Sequence, residues 1–166
     1  MTLPRLRVRP AAPWDNAAKQ RLLDRAWIVG HGQVFPATVE RFGKGQRPVE
    51  AHSYQIPEDG SPWVADIAGG QILGVMDLRP QENSYLMVEP IATDPNFHRQ
   101  GIGRVLSQHA EQIAAARGDK GLQVWAVDGN GPANEFYKAM RCKAAGKGTV
   151  SFDGVVESAT MYERSL

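Results

Sequence analysis

The chain switches repeatedly between two apolar periodicities, and the switches outline its elements. From Met1 to Pro10, Leu6 and Val8 alternate with Arg5, Arg7 and Arg9, the period-two pattern of a first strand. Pro13, Trp14 and Asp15 then offer a helix start with Asp15 as N-cap. Leu22, Leu23, Ala26 and Trp27 form a stripe at helical spacing that stops before Gly30. A second, short helix opens at Pro36, runs through Val39 and Phe42 and closes at Gly43. Lys44 to Pro62 is polar and broken by Gly45, Pro48, Pro57, Gly60 and Pro62, long enough for a lid over a ligand.

Trp63 to Ala68 and Gln71 to Leu78 are β-prone runs separated by Gly69 and Gly70, which predicts an antiparallel hairpin with a two-residue turn. Ser84 to Thr93 continues the meander. Pro90 lacks an N–H, so a bulge or a break in pairing is expected at Glu89 and Pro90, leaving backbone groups free. Gly101 to Arg117 carries Ile102, Val105, Leu106, His109, Ile113 and Ala114 at helical spacing, with Gly118 as a stop. Leu122 to Val127 reads as a buried strand. Pro132 opens a helix bearing Ala133, Phe136, Tyr137 and Met140, and Thr149 to Phe152 and Val155 to Tyr162 flank Asp153-Gly154, the signal of a type I′ hairpin. The order of elements is α+β: strand, helices, antiparallel meander, glycine-opened helix, strand, helix, hairpin.

Composition narrows the partners. A length of 166 residues, against roughly 150 per domain, predicts a single domain over 1–166. Nineteen Lys and Arg against eighteen Asp and Glu leave a net charge of +1, which supplies no field for a polyanion, so no nucleic acid is expected. Every apolar run is interrupted well short of the roughly 18 residues of a membrane span, so no membrane is expected. The one cysteine, Cys142, cannot form an intramolecular disulfide, and His31, His52, His98 and His109 lack zinc-site spacing. A reducing, cytoplasmic setting without a bound metal is the expectation.

The chemistry concentrates in Asp94-Pro95-Asn96-Phe97-His98-Arg99-Gln100-Gly101-Ile102-Gly103-Arg104, where a strand feeds a helix. Gly101 and Gly103 lack Cβ, so the N–H groups of Arg99 to Arg104 can converge on one anion at a helix N-terminus, with Arg99 and Arg104 as counter-charges. A tight strand-to-helix turn would use the same glycines. A dinucleotide fingerprint would need Gly or Ala at Leu106, and Gly146-Lys147-Gly148-Thr149 lacks the Lys-Ser/Thr of a P-loop.

Taken with Asn130-Gly131-Pro132-Ala133-Asn134-Glu135-Phe136-Tyr137, this segment resembles the GNAT superfamily of acyl-CoA-dependent N-acyltransferases. Its pyrophosphate loop reads Gln/Arg-x-x-Gly-x-Gly/Ala. Its second signature, Asn-x-x-Ala-x-x-aromatic or Leu-Tyr, is matched by Asn130, Ala133, Phe136 and Tyr137 about 30 residues on. The sequence departs from the pattern at His98, where Gln or Arg is usual, and at Arg141-Cys142, where Gly-Phe is common.

The resemblance implies a GNAT-like fold: a mixed, mostly antiparallel central sheet flanked by helices and splayed between the fourth and fifth strands. It implies acetyl-CoA as co-substrate, held by Arg99, Gln100, Gly101, Ile102, Gly103 and Arg104 at the pyrophosphate. Ile91, Ala92 and Thr93 would offer backbone groups to the pantetheine arm, with Asn130, Ala133 and Phe136 on the other side. Tyr137 is the candidate acid for the departing thiolate, against a plain place in the apolar stripe; its phenol, near pKa 10, matches a thiolate without ionising at neutral pH. Glu89, the candidate base through a water, could equally be a structural carboxylate bonding N–H groups freed at the bulge; an isolated position among apolar neighbours would raise its pKa. Trp27, His31, Phe35 and Trp125 are either core or acceptor-pocket residues, and Cys142 reads as an inert thiol rather than an acyl carrier. The acceptor expected is a small-molecule amine. A protein N-terminus or lysine, or a non-catalytic acyl-CoA-binding module, are the alternatives, and a homodimer is compatible with the sequence.

Overall fold

In the computed structural model, which describes residues 5–44, 61–68 and 70–166, seven strands form one sheet in the order β1-β2-β3-β4-β5-β7-β6. These are β1 Arg7–Pro10, β2 Ser61–Asp66, β3 Ile72–Pro80, β4 Tyr85–Thr93, β5 Gly121–Val127, β6 Lys143–Phe152 and β7 Val155–Ser165. The helices are α1 Asn16–His31, α2 Pro36–Gly43, α3 Ile102–Arg117 and α4 Gly131–Ala139. All neighbouring strands are antiparallel except β4 and β5, whose parallel pairing needs a crossover, and α3 supplies it. This is the α+β, GNAT-type architecture expected, with a mixed sheet flanked, among the described residues, by these four helices.

The two faces of the sheet carry separate cores. Ile102, Leu106, Ala110 and Ala114, one stripe of α3, pack with Leu73, Met76, Leu78, Leu86 and Val88 on one face. Leu22 and Leu23 of α1 pack with Val64, Ile72 and Val75 on the other. Each of the Leu, Ile, Val and Met side chains among them contributes roughly 1.5–3 kcal/mol when fully buried. Trp27, Phe35, Phe42 and Phe152 make an aromatic cluster between the α1–α2 corner and the β6–β7 hairpin, with Phe35 only 1% exposed.

Several boundaries differ from the sequence expectation for local reasons. Residues 1–4, and 45–60 of the proposed lid, lie outside the described residues, and Ser61 and Pro62 begin β2. The β2–β3 turn is wider than two residues, because the ladder ends at Asp66 opposite Ile72 and the Ile67 N–H reaches across to Gln71 O at 3.1 Å. Gly30 does not end α1, which runs on to His31. Asp15 is not a side-chain cap: its carboxylate accepts the Ala12 N–H at 2.8 Å and both terminal nitrogens of Arg9 at 2.8 and 3.0 Å. β6 starts at Lys143, six residues before the expected start, because Gly146 and Gly148 are tolerated within it; a Cβ on Gly148 would lie 3.1 Å from the Trp125 ring. Asp153 and Gly154 do form the primed turn, with φ of 51° and 80°.

Candidate active site

The site is built where β4 leaves β5. Their ladder joins Tyr85, Leu86 and Met87 to Gly121, Leu122 and Gln123 and ends there, while β5 continues alongside β7 to Val127. On its other side β4 bulges. Leu78 faces Val88 and Met76 faces Ile91, so Glu89 and Pro90 together stand against Asp77. The bulge falls where Pro90 placed it. Ile91, Ala92 and Thr93 keep their β3 partners and have no ladder partner toward β5.

Beyond Thr93 the chain turns through Asp94 and a 3-10 turn at Pro95–Phe97 into α3. Gly101 caps α3 at φ 79°, the left-handed region that favours glycine, and Arg99 also sits there at φ 61°. Arg99, Gln100, Gly101 and Arg104 are exposed around the start of α3, so the loop and both guanidiniums face solvent. Both glycines of this loop also have a place in the fold itself. A Cβ on Gly101 would meet no protein atom within 4 Å, so within the fold it is φ that favours this glycine. Gly103 is required by α4: its Cβ would lie 2.9 Å from the Phe136 ring. Ile102 is 2% exposed, so its side chain belongs to the core and only its backbone faces the loop.

The start of α4 follows from Asn130. Its Oδ1 accepts the Ala133 N–H at 3.2 Å, so the Asn-x-x-Ala spacing is first of all a helix cap. With the acceptor oxygen used this way, the amide nitrogen remains as the polar group of that side chain. Ala133 and Phe136 pack on the α3-side core. Sequence reasoning passed over Asn134, whose amide donates to Val127 O at 2.9 Å and Asn130 O at 2.7 Å, while its Oδ1 accepts the Tyr162 hydroxyl at 2.5 Å. That clamp fixes α4 on the end of β5.

Tyr137 follows on the same helix. It is 8% exposed, with Phe136 and Tyr162 rings at 5.4 and 5.5 Å, and it lines a cavity of about 30 Å³ between Val88 and Ile91 of β4 and Leu122 and Val124 of β5. A space of that size holds about two waters. Burial pushes the phenol pKa well up, and Cys142, Glu89 and Tyr162 add to the rise, so the group keeps its proton at neutral pH. Glu89 is therefore within electrostatic reach of the phenol. It is not isolated as expected: its side chain is half exposed and 3.6 Å from the Arg79 guanidinium. The structure thus gathers Tyr137, Glu89, Ile91 and the loop start around one parting of strands. Trp27, His31 and Phe35 instead belong to the aromatic cluster, and burial raises the Cys142 thiol, the direction of an unreactive one.

Among the described residues no helix is long and apolar enough to cross a membrane. Streptothricin acetyltransferase of Streptomyces lavendulae is 31% identical over 97 residues, 58% of this chain and 51% of that protein, so the chain spans about half the length of this relative. The crystal structure of nourseothricin acetyltransferase superposes with a TM-score of 0.71 at 24% identity, covering 96% of this chain and 98% of that one. A Bacillus anthracis protein solved in complex with acetyl coenzyme A superposes with a TM-score of 0.58 at 21% identity, covering 71% and 68%. At these identities the structures show a shared fold. The sequence profile described as "Acetyltransferase (GNAT) family" matches residues 28–140. Since that stretch runs from the C-terminal part of α1 to the end of α4 and contains the parted strands and both signatures, the chain belongs to the GNAT acetyltransferase family.

Proposed function

We propose that this protein transfers an acetyl group from acetyl-CoA to a primary amine of a small molecule, by direct attack of the amine within a ternary complex. The observation that carries this reading is the parting of β4 from β5 after Met87, flanked on one side by the glycine-capped start of α3 and on the other by Tyr137. Backbone N–H groups from Arg99 to Arg104 would receive the pyrophosphate, with the exposed Arg99 and Arg104 balancing charge that amide dipoles alone leave over. The unpaired edge of Ile91 to Thr93 would hold the pantetheine arm as an added strand and polarise the thioester carbonyl.

The acceptor ammonium must lose one proton before attack and the thiolate must gain one as it leaves. Glu89 would take the first through a water. Tyr137 would give the second, since its phenol is protonated and lines the cavity between the strands. The acceptor class is supported by the relatives named for streptothricin and nourseothricin. A cytoplasmic setting suits a chain whose one cysteine is a free thiol.

Acetyl-CoA at 100 times its Kd should stabilise the fold by roughly 2.7 kcal/mol, read as a rise in Tm. Thiol release measured over streptothricin-type antibiotics, aminoglycosides, amino acids and peptides then identifies the acceptor. Binding without transfer to any amine would favour an acyl-CoA-binding module, and transfer to peptides alone would move the acceptor to protein.

A further inference from the structure

α1 touches both banks of the parted strands. On the β4 bank, Arg25 Nη2 of α1 donates to Asp94 Oδ2 at 2.8 Å. Asp94 is 4% exposed and directly follows β4. Its other oxygen accepts the Asn96 N–H at 3.0 Å, its own N–H donates to Leu73 O at 2.8 Å, and its carbonyl accepts the Phe97 N–H at 2.9 Å. One residue therefore ties the strand end, the 3-10 turn leading to the phosphate loop, and α1 together. On the α4 bank, Gly30 of α1 meets Asn130, the cap of the helix that carries Tyr137. A Cβ at Gly30 would lie 2.8 Å from Asn130 Nδ2. The two contact points are five residues apart on one rigid helix, about 7.5 Å along its axis at 1.5 Å per residue.

We propose that α1 is a cross-brace that fixes the separation between the phosphate loop and Tyr137, with Arg25 and Gly30 as its positioning residues. The inference rests on the acetyl-CoA reading above. The arm between a pyrophosphate and its thioester has a set reach, so a donor anchored at the α3 loop presents its thioester to Tyr137 only when the two banks are correctly spaced. Arg25 holds the loop bank through a carboxylate that is buried and has no other cation partner among the described residues. Gly30, by lacking a side chain, lets the α4 bank seat against the brace. Local sequence signals do not single out Arg25 and mark Gly30 only as a helix stop.

The test compares acetyl-CoA with S-acetyl-pantetheine, which lacks the diphosphate, in steady-state kinetics. Arg25→Ala should raise KM for acetyl-CoA by about tenfold while changing KM for S-acetyl-pantetheine by less than about twofold, and Arg25→Lys should recover much of the loss. Gly30→Ala should show the opposite split, a fall in kcat of about tenfold with KM for acetyl-CoA nearly unchanged. Amide hydrogen exchange of the ligand-free protein reads the brace without the reaction. Arg25→Ala should speed exchange over 96–104 and Gly30→Ala over the first turn of α4, each sparing the other bank. Equal KM increases for both donors in Arg25→Ala, or wild-type exchange at both banks in both variants, would overturn the brace. Failure of the wild-type protein to bind acetyl-CoA would instead overturn the acetyltransferase reading, and the exchange pattern would still decide the brace.

Discussion

Replacing Tyr137 by phenylalanine removes one hydroxyl and leaves the ring, so it separates chemistry from packing. The ring contacts to Phe136 at 5.4 Å and Tyr162 at 5.5 Å survive the change. The side chain lines the cavity between the parted strands, so the hydroxyl can be removed without displacing the ring. The stability change should stay within about 0.5 kcal/mol, a shift in Tm of no more than about 2 °C for a chain of this size. Loss of a general acid should lower kcat by roughly 10²-fold or more, equivalent to about 2.7 kcal/mol of barrier. The phenol pKa is raised by burial, so the acid form persists as pH rises through neutrality and Tyr137 contributes no alkaline fall in rate until well above pH 10. The assay is thiol release at saturating donor and acceptor, with acetyl-CoA affinity measured by calorimetry and expected to be unchanged. An acetyl donor with a more acidic thiol departs without a proton, so the loss should shrink with it. Equal losses with both donors, or a variant within about threefold of wild-type turnover, would refute the acid role.

Glu89→Gln should lower turnover by about tenfold or more, most of all at low pH where little free amine exists, with acetyl-CoA affinity unaltered; a pH profile identical to wild type would make the Arg79–Glu89 pair structural. Gly103→Ala drives a Cβ to 2.9 Å from the Phe136 ring and should cost about 1–3 kcal/mol in urea unfolding, by pushing α4 off the start of α3. Asp15 and Asp66 are held below the usual carboxylate range by hydrogen bonds from Arg9 and Arg7 respectively. Their folded-state pKa values are depressed, so the stability they contribute is present above the unfolded pKa near 4 and is lost as pH falls through the folded values. Asp66→Asn should therefore lower the urea midpoint at pH 7 and flatten its fall on acidification.

Much of the candidate site was readable in the order of residues because its devices are local. Pro90 removes a donor wherever it stands, and the bulge formed there. Gly101 marks a left-handed turn, and the expected α3 stripe at Ile102, Val105, Leu106, His109, Ile113 and Ala114 contains Ile102, Leu106 and Ala114 of the buried face. Each rests on φ/ψ preference or periodicity within a few residues, which a single chain displays openly. Contacts between distant segments were not readable in this way. The Arg25–Asp94 pair spans 69 residues, the Tyr162–Asn134 bond 28, and the Glu89–Arg79 pair joins two strands in a register that only the bulge decides. Sequence alone places Gly103 in an anion-binding loop and Gly30 at a helix stop, and only the assembled fold sets the Phe136 ring against the first and Asn130 beside the second. Missing side chains of this kind report what packs against them, and that neighbour is chosen by the assembled sheet and helices and not by the residues on either side.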